Sequence, residues 1–288
     1  MSRLLKFMKN IVVTGVSTGI GYAIAKTLTA NGFHVFGSVR KPEDGERLAS
    51  EFGAAFTPLV FDVTDEKAVH AAANFVREKL NGQTLDGLIN NAGIALPGPL
   101  IHQPIQDFRQ QLEVNVTGQL IAIQAFTPLL GSDRSLQGKP GRILNMSSVG
   151  GKNGAPFVGA YAASKHALEG LSESLRRELM LYGIDVIIIG PGAISTPIWD
   201  KANELDITDF EKTDYGSILG KFRKYMTDSG KNGLPAEKLG ALVLRIMTTA
   251  KPKVRYAIVP QRLKNWTIPQ LLPKRMVDNI IAKRLGFK

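Results

Sequence analysis

The chain predicts an α/β fold: a doubly wound parallel sheet of about seven strands with helices on both faces. Three observations carry that expectation. Short β-branched runs alternate with longer helical stretches as far as Pro191, the rhythm of strands joined by crossover helices. The run Ile184–Ile189 (IDVIII) is apolar at all but one position, as a strand covered on both faces must be. A glycine-rich turn separates the first strand from the first helix, at the sheet edge where ligands of such folds sit.

The elements follow in order. Asn10–Thr14 (NIVVT) reads as the first strand, and an Ala-rich helix runs from the glycine turn to about Ala30. His34–Val39 is the second strand and Ala55–Phe61 the third, separated by a charged helical stretch. Asp65–Leu80 has helical periodicity, and Asp65 with Glu66 suits the positive end of a helix. Asp86–Asn90 is a fourth strand, Pro104–Leu130 a long helix and Arg142–Met146 a fifth strand. Phe157–Tyr182 is another long helix, and Ile184–Ile189 the sixth strand.

After Pro191-Gly192 the rhythm breaks. Pro197–Leu234 mixes charges with Ile198, Trp199, Phe210, Tyr215, Phe222, Tyr225 and Met226, the composition of a lid over a hydrophobic pocket. Pro235–Thr249 returns to helix, Tyr256–Val259 is a last short strand, and Lys274–Leu285 has helical potential. The expected organisation is one domain over residues 1–260, its lid at 197–234, and a basic extension at 261–288.

Composition excludes several classes. Hydrophobic residues at 44% and charged ones at 21% fit an ordinary globular protein and not a disordered one. The chain has no cysteine, so disulfides, thiolate nucleophiles and Cys-based metal sites are ruled out. His34, His70, His102 and His166 include no pair at helical ligand spacing, and no metal is expected. No run approaches the roughly 20 apolar residues of a membrane span. The basic N-terminus has no signal-peptide core, so the cytoplasm is the expected location.

Of the net charge of +11, the segment Lys251–Lys288 carries +9, with Asp278 as its one acid. A basic tail that also holds Ile268, Leu271, Met276, Ile280 and Leu285 has two readings. It lies on an anionic membrane surface, or it docks on the body and closes a pocket. Without a recognised motif, nucleic acid is not an expected partner.

The chemistry is concentrated in two places. Thr14-Gly15-Val16-Ser17-Thr18-Gly19-Ile20-Gly21 offers a sharp turn, close backbone approach and a helix N-terminus, which together suit a pyrophosphate. Its spacing is Gly-x-x-x-Gly-x-Gly, distinct from the Gly-x-Gly-x-x-Gly fingerprint. At the end of the second strand, Arg40-Lys41 stands where an acid would chelate a ribose. Two cations there favour the 2′-phosphate of NADP(H), with NAD(H) as the second choice. Further on, Tyr161 and Lys165 lie one helical turn apart, and Ser147-Ser148 ends the fifth strand on the same sheet edge. A phenol titrates near 10, and a nearby ammonium, with a nicotinamide ribose and its positive ring, would lower that value. Ser148 would polarise a carbonyl or alcohol oxygen, and hydride transfer coupled to proton transfer is implied.

These motifs occur in a set order: Thr14-Gly15-x-x-x-Gly19-x-Gly21, Asp62, Asn90-Asn91-Ala92-Gly93, Asn115, Ser148, Tyr161-x-x-x-Lys165, and Pro191-Gly192 with Thr196. In that order they resemble the classical short-chain dehydrogenase/reductase family, with its Rossmann-like fold, over roughly residues 10–260. The resemblance implies Tyr161 as general acid/base, Lys165 as the holder of the nicotinamide ribose and Ser148 as the group on the reacting oxygen. It implies a relay water at Asn115. Asp62 and Val63 would meet adenine, Asn91, Ala92 and Gly93 the adenosine ribose, and Ile194 and Thr196 the carboxamide. Ser17, Thr18 and Ile20 belong to the glycine turn, and Asn90 would brace the strands. It also implies a homodimer or homotetramer formed through the two long helices.

Val16-Ser17-Thr18, Phe36-Gly37-Ser38-Val39-Arg40 and Pro197-Ile198-Trp199-Asp200 are similar to the retinol and hydroxysteroid dehydrogenase branch. The expected function is therefore an oxidoreductase acting on a bulky apolar secondary alcohol or ketone, such as a steroid, a retinoid or a long-chain ketone. The competing class is a non-catalytic dinucleotide-binding scaffold, which would be free to lose the tyrosine or the lysine.

Overall fold

The strands carry apolar residues on both faces, and the architecture follows from having to cover both. The computed structural model describes residues 8–196 and 208–287. Its strands are β1 Lys9–Val13, β2 Phe33–Val39, β3 Phe56–Val60, β4 Gly87–Asn90, β5 Arg142–Met146, β6 Asp185–Pro191, β7 Ile194–Ser195, β8 Leu234–Pro235 and β9 Arg255–Ile258. Seven of them form one parallel sheet in the order β3-β2-β1-β4-β5-β6-β9, while β7 and β8 pair separately. The order reverses between β1 and β4, the crevice where an open α/β sheet receives a dinucleotide.

The helices are α1 Gly19–Ala30, α2 Pro42–Phe52, α3 Glu66–Leu80, α4 Ile105–Leu112, α5 Gly118–Phe126 and α6 Gly159–Glu178. After the sixth strand come α7 Thr208–Glu211, α8 Gly216–Lys231, α9 Glu237–Thr248, α10 Ile268–Leu271 and α11 Lys274–Leu285. Alternation along β1 shows how they are placed. Ile11 and Val13 face one core with Ile24 and Leu28 of α1 and Val243 and Ile246 of α9. Val12 faces the other core, with Val76 of α3 and Phe126 of α5.

Local signals set several boundaries. Asp65 caps α3 by accepting from the Ala68 N–H at 3.0 Å, and Asn81 ends that helix in the left-handed region. The long helix expected over Pro104–Leu130 is not uniform. A π turn at Glu113–Thr117 separates α4 from α5, and a 3-10 turn at Thr127–Leu130 ends the unit. In that π turn the Asn115 side chain is engaged with the main chain of Ile94.

The segment expected to act as a lid is tied at both ends. Ile194 pairs with Leu234 and Ser195 with Pro235. Ile198 and Trp199, with the rest of 197–207, lie outside the described residues. The extension at 261–288 is not a free appendage. Trp266 and Leu285 are buried, and Leu285 joins Phe157, Leu219 and Phe222 in a small third core over the sheet edge.

Candidate active site

The glycine turn is held by its neighbours before any ligand is considered. The Thr14 hydroxyl accepts from the main-chain N–H groups of Asn91 (2.9 Å) and Ala92 (3.0 Å). The Asn91 amide nitrogen donates to the carbonyls of Thr14 and Gly15, both at 2.9 Å. Gly15 has φ +70°, and a Cβ on Gly21 would stand 2.1 Å from the Gly15 carbonyl oxygen. Neither position tolerates a side chain. The Asn91 amide nitrogen is thus committed to the turn, which leaves the ribose contact expected of that residue to its other groups. Asn90 donates to the Asn145 side-chain oxygen at 2.9 Å and braces β4 against β5, as expected.

A cleft of about 1840 Å³ runs along the strand ends. Its lining includes the turn from Gly15 through Ser17, Thr18, Gly19, Ile20 and Gly21, then Arg40, Asp62 and Val63. Asn91, Ala92 and Gly93 follow, with Ser148, Tyr161, Lys165, Pro191, Gly192, Ile194 and Thr196 at the far end. Small-molecule pockets commonly occupy about 300–1,000 Å³, so the volume admits a dinucleotide with a second molecule beside it. Every cofactor residue expected from the sequence reaches this one cleft. The cradle shaped by Gly15 and Gly21, at the crevice beside β1 and β4, fits a nicotinamide dinucleotide.

At the catalytic end, α6 and β5 meet. The Ser148 hydroxyl donates to the Pro191 carbonyl at 3.4 Å and stands close enough to Tyr161 to act on its phenol. The Lys165 ammonium donates to the Met146 carbonyl at 2.8 Å and lies 5.7 Å from the centre of the Tyr161 ring. Ser148 also accepts from the Gly150 N–H at 3.0 Å, while Ser147 turns to Glu169 at 2.8 Å. Ser148, not Ser147, therefore faces the reacting position. Burial pushes the Lys165 ammonium down to about 8.

The lowering of the Tyr161 phenol is expected with the nicotinamide in place, and the protein alone does not supply it. Burial raises this phenol above its ordinary value, and the nearby Ser148 only partly offsets that.

Asn115 also differs in detail from the expectation. Its oxygen accepts from the Ile94 N–H at 2.8 Å, and its nitrogen donates to the Ile94 carbonyl at 2.9 Å and to Ser164 at 3.0 Å. The side chain is spent on the protein, so a relay water here would have to be held by main chain in the π turn. Such turns recur at functional sites.

Three contributors were missed from sequence. Ser38 accepts from the Gly15 N–H at 3.0 Å, and Arg47 donates to the Ser17 carbonyl at 2.8 Å beside Arg40. Gln111 is fully buried and accepts from the Leu96 N–H at 2.9 Å, shaping the loop over the cleft. Arg47 stands seven residues beyond Arg40, and no local pattern marked it.

The family model for short chain dehydrogenases matches residues 9–206. An NADPH-dependent 3-dehydrocapnine reductase of Ornithobacterium rhinotracheale is 40% identical over 278 residues, covering 96% of this chain and 98% of that one. A 3-ketodihydrosphingosine reductase of Bacteroides thetaiotaomicron is 32% identical over 250 residues, covering 87% of each chain. Among solved structures, a short-chain dehydrogenase from Streptomyces avermitilis superposes with a TM-score of 0.74 at 26% identity, covering 96% of this chain and 94% of that one. The ordered motifs, the strand order and these matches agree: the chain belongs to the short-chain dehydrogenase/reductase family and is an NAD(P)-dependent oxidoreductase acting on CH–OH groups.

Proposed function

We propose that the protein reduces a ketone carried on a bulky, apolar skeleton, with NADPH as the preferred cofactor. The observation that supports this most is the chamber beyond Tyr161, walled by Val158, Phe210, Leu219, Phe222, Met226 and Ile281. Arg223, Ser229, Lys274 and Asp278 are interspersed among these apolar side chains, and Ser148 and Tyr161 line the same cleft, so a hydrocarbon body can lie beside the groups that would meet its reactive oxygen. A relative named for 3-ketodihydrosphingosine is in line with a long-chain substrate, and steroids and retinoids are the other candidates.

The bound cofactor supplies the hydride. In this reading Ser148 donates a hydrogen bond to the ketone oxygen, and Tyr161 gives that oxygen its phenolic proton as the carbon is reduced. Lys165 holds the ribose and stands beside the phenol. Preference for NADPH rests on Arg40, Lys41 and Arg47, which line a second, shallower concavity at the end of β2 together with Glu43 and Asp44, the latter paired with Arg47 at 3.2 Å. A guanidinium there gains a charge-assisted bond to a 2′-phosphate that NAD(H) cannot offer. Steady-state assays with NADPH and NADH over ketones of increasing chain length test both parts. A wild-type preference for NADH, or for small polar ketones, overturns the corresponding half.

The C-terminal segment in this reading caps the chamber. A second reading, peripheral contact with an anionic membrane, is favoured by Leu263 and Leu271, which are 69% and 79% exposed in a basic segment.

A further inference from the structure

The helix that carries Tyr161 and Lys165 has a third residue on the same face, Glu169, four positions further on. Successive turns of α6 meet consecutive residues at the end of β5. Tyr161 stands beside Ser148, Lys165 donates to the Met146 carbonyl at 2.8 Å and Glu169 accepts from the Ser147 hydroxyl at 2.8 Å. Below them Ser172 accepts from the Asn145 side chain at 2.8 Å. Helix and strand end are thus locked in register by three hydrogen bonds, and the two reacting groups beyond them, Ser148 and Tyr161, depend on that register.

Glu169 is only 4% exposed, so its charge must be compensated. Arg255 of β9 does this with Nε 2.9 Å from Oε2 and Nη2 2.8 Å from Oε1, and Lys152 stands 3.3 Å away. Burial alone would push the carboxyl up, but the bonds from Arg255 and Ser147 and the two cations hold it below its ordinary value. The Arg255 guanidinium lies over Gly190, where a Cβ would come within 2.7 Å of Nη2, and the Trp266 ring covers it at 4.8 Å. A buried ion pair is a weak device for stability compared with an apolar filling of the same volume. Its geometry here serves the strand end.

We infer that Glu169, clamped by Arg255, is a positioning residue that acts through Ser147 to hold Ser148 against Tyr161. The inference rests on Ser148 and Tyr161 being the reacting groups. Misplacing such groups by a fraction of an ångström slows the chemical step without loosening the cofactor.

The test is a double-mutant cycle on Ser147→Ala and Glu169→Gln, read as kcat, KM for NADPH and the pH profile of kcat. Ser147→Ala leaves the Glu169–Arg255 pair intact and so keeps the fold. Each single variant is expected to lower kcat roughly tenfold or more, with KM for NADPH within about twofold of wild type. The double variant is expected to be no slower than the worse single one, because both break one connection. Glu169→Asp should recover part of the lost rate if the Ser147 contact is restored.

Wild-type kcat in Ser147→Ala overturns the inference, as does strict additivity in the cycle. If Glu169→Gln does not fold, Ser147→Ala with Ser147→Thr decides alone. There, recovery of rate by the threonine hydroxyl supports the inference, and equal rates in both variants overturn it. Tyr161→Phe runs alongside. If that variant stays active, the reading of the site itself fails; if it is dead while Ser147→Ala is normal, only the positioning role fails.

Discussion

The two halves of the cleft are built by different means. Around the glycine turn nearly every polar contact runs from backbone to a short side chain: Thr14 to Asn91 and Ala92, Asn91 to Gly15, Ser38 to Gly15. At the chamber, rings pack on rings. Phe157 lies edge-on to Tyr215 and Phe222 and stacked on Phe287, and Arg284 sits 4.3 Å from the Tyr225 ring centre. A backbone cradle admits few substitutions and presents one shape. A wall of interlocking apolar side chains can change its outline one residue at a time. The first arrangement suits a cofactor of fixed form, the second a substrate to be chosen.

The comparison is broken most severely at the reacting group that joins the halves. Tyr161→Phe should cost roughly a thousandfold or more in kcat, while NADPH binding, followed by its fluorescence, stays near wild type. Loss of cofactor binding as well would mean that the two halves are not separable.

Within the cofactor half, Arg40→Asp should raise KM for NADPH roughly ten- to a hundredfold, with KM for NADH unchanged or lower. An equal effect on both cofactors would place Arg40 outside the phosphate site.

In the chamber half, Phe222→Ala removes a buried ring from the third core. KM for a bulky ketone should rise several-fold while KM for NADPH stays the same, because the ring walls the chamber and not the cradle. Part of any loss will be stability, since emptying such a site costs about 3–5 kcal/mol, so a thermal melt belongs beside the kinetics. Parallel increases in both KM values would erase the division.

The pH dependence sharpens the boundary between the halves. Lys165 titrates at about 8 in the protein, below its ordinary 10.5, because it is buried. Reductive kcat/KM reports the free enzyme, so it should fall as pH rises past about 8 and the ammonium is lost. Lys165→Arg should abolish that limb at whatever activity it retains. The same depression has a thermodynamic sign. Between about 8 and 10.5 the unfolded chain holds the extra proton, so this residue makes folding more favourable as pH rises through that window.

The smallest expected effect lies on the outer face of the cap. Met276 and Ile280 are exposed one turn apart on α11, next to Lys283. Co-sedimentation with anionic vesicles, weakening with salt and absent with neutral ones, is expected if that face meets a membrane. No sedimentation at low salt leaves α11 as a cap alone.

Much of the site was legible because its residues answer to the backbone. Gly15 and Gly21 had to be glycine for a turn that approaches a neighbouring strand, and the four-residue step from Tyr161 to Lys165 is a property of any helix. Strand ends at Arg142–Met146 and a helix at Lys274–Leu285 were read to the residue, since period and punctuation are local. Glu169 and Arg47 were not legible. One is compensated from a strand 86 positions away, and the other reaches the Ser17 carbonyl from 30 positions on. Docking of the cationic tail on the body was one of two readings open from sequence, but no pattern marked Trp266 as a residue it would bury.

By itself, then, the sequence determined the doubly wound sheet and the cradle, because these follow from local periodicity and from what a backbone can do at a turn, and its resemblance to a family nominated Ser148, Tyr161 and Lys165. Only the tertiary structure decided that Glu169 and Arg255 hold Ser147, that burial raises the phenol, and, of the two readings of the C-terminus, that it packs onto the body. Those outcomes depend on desolvation and on contacts between residues far apart in the chain, and neither is a property of any short stretch of it.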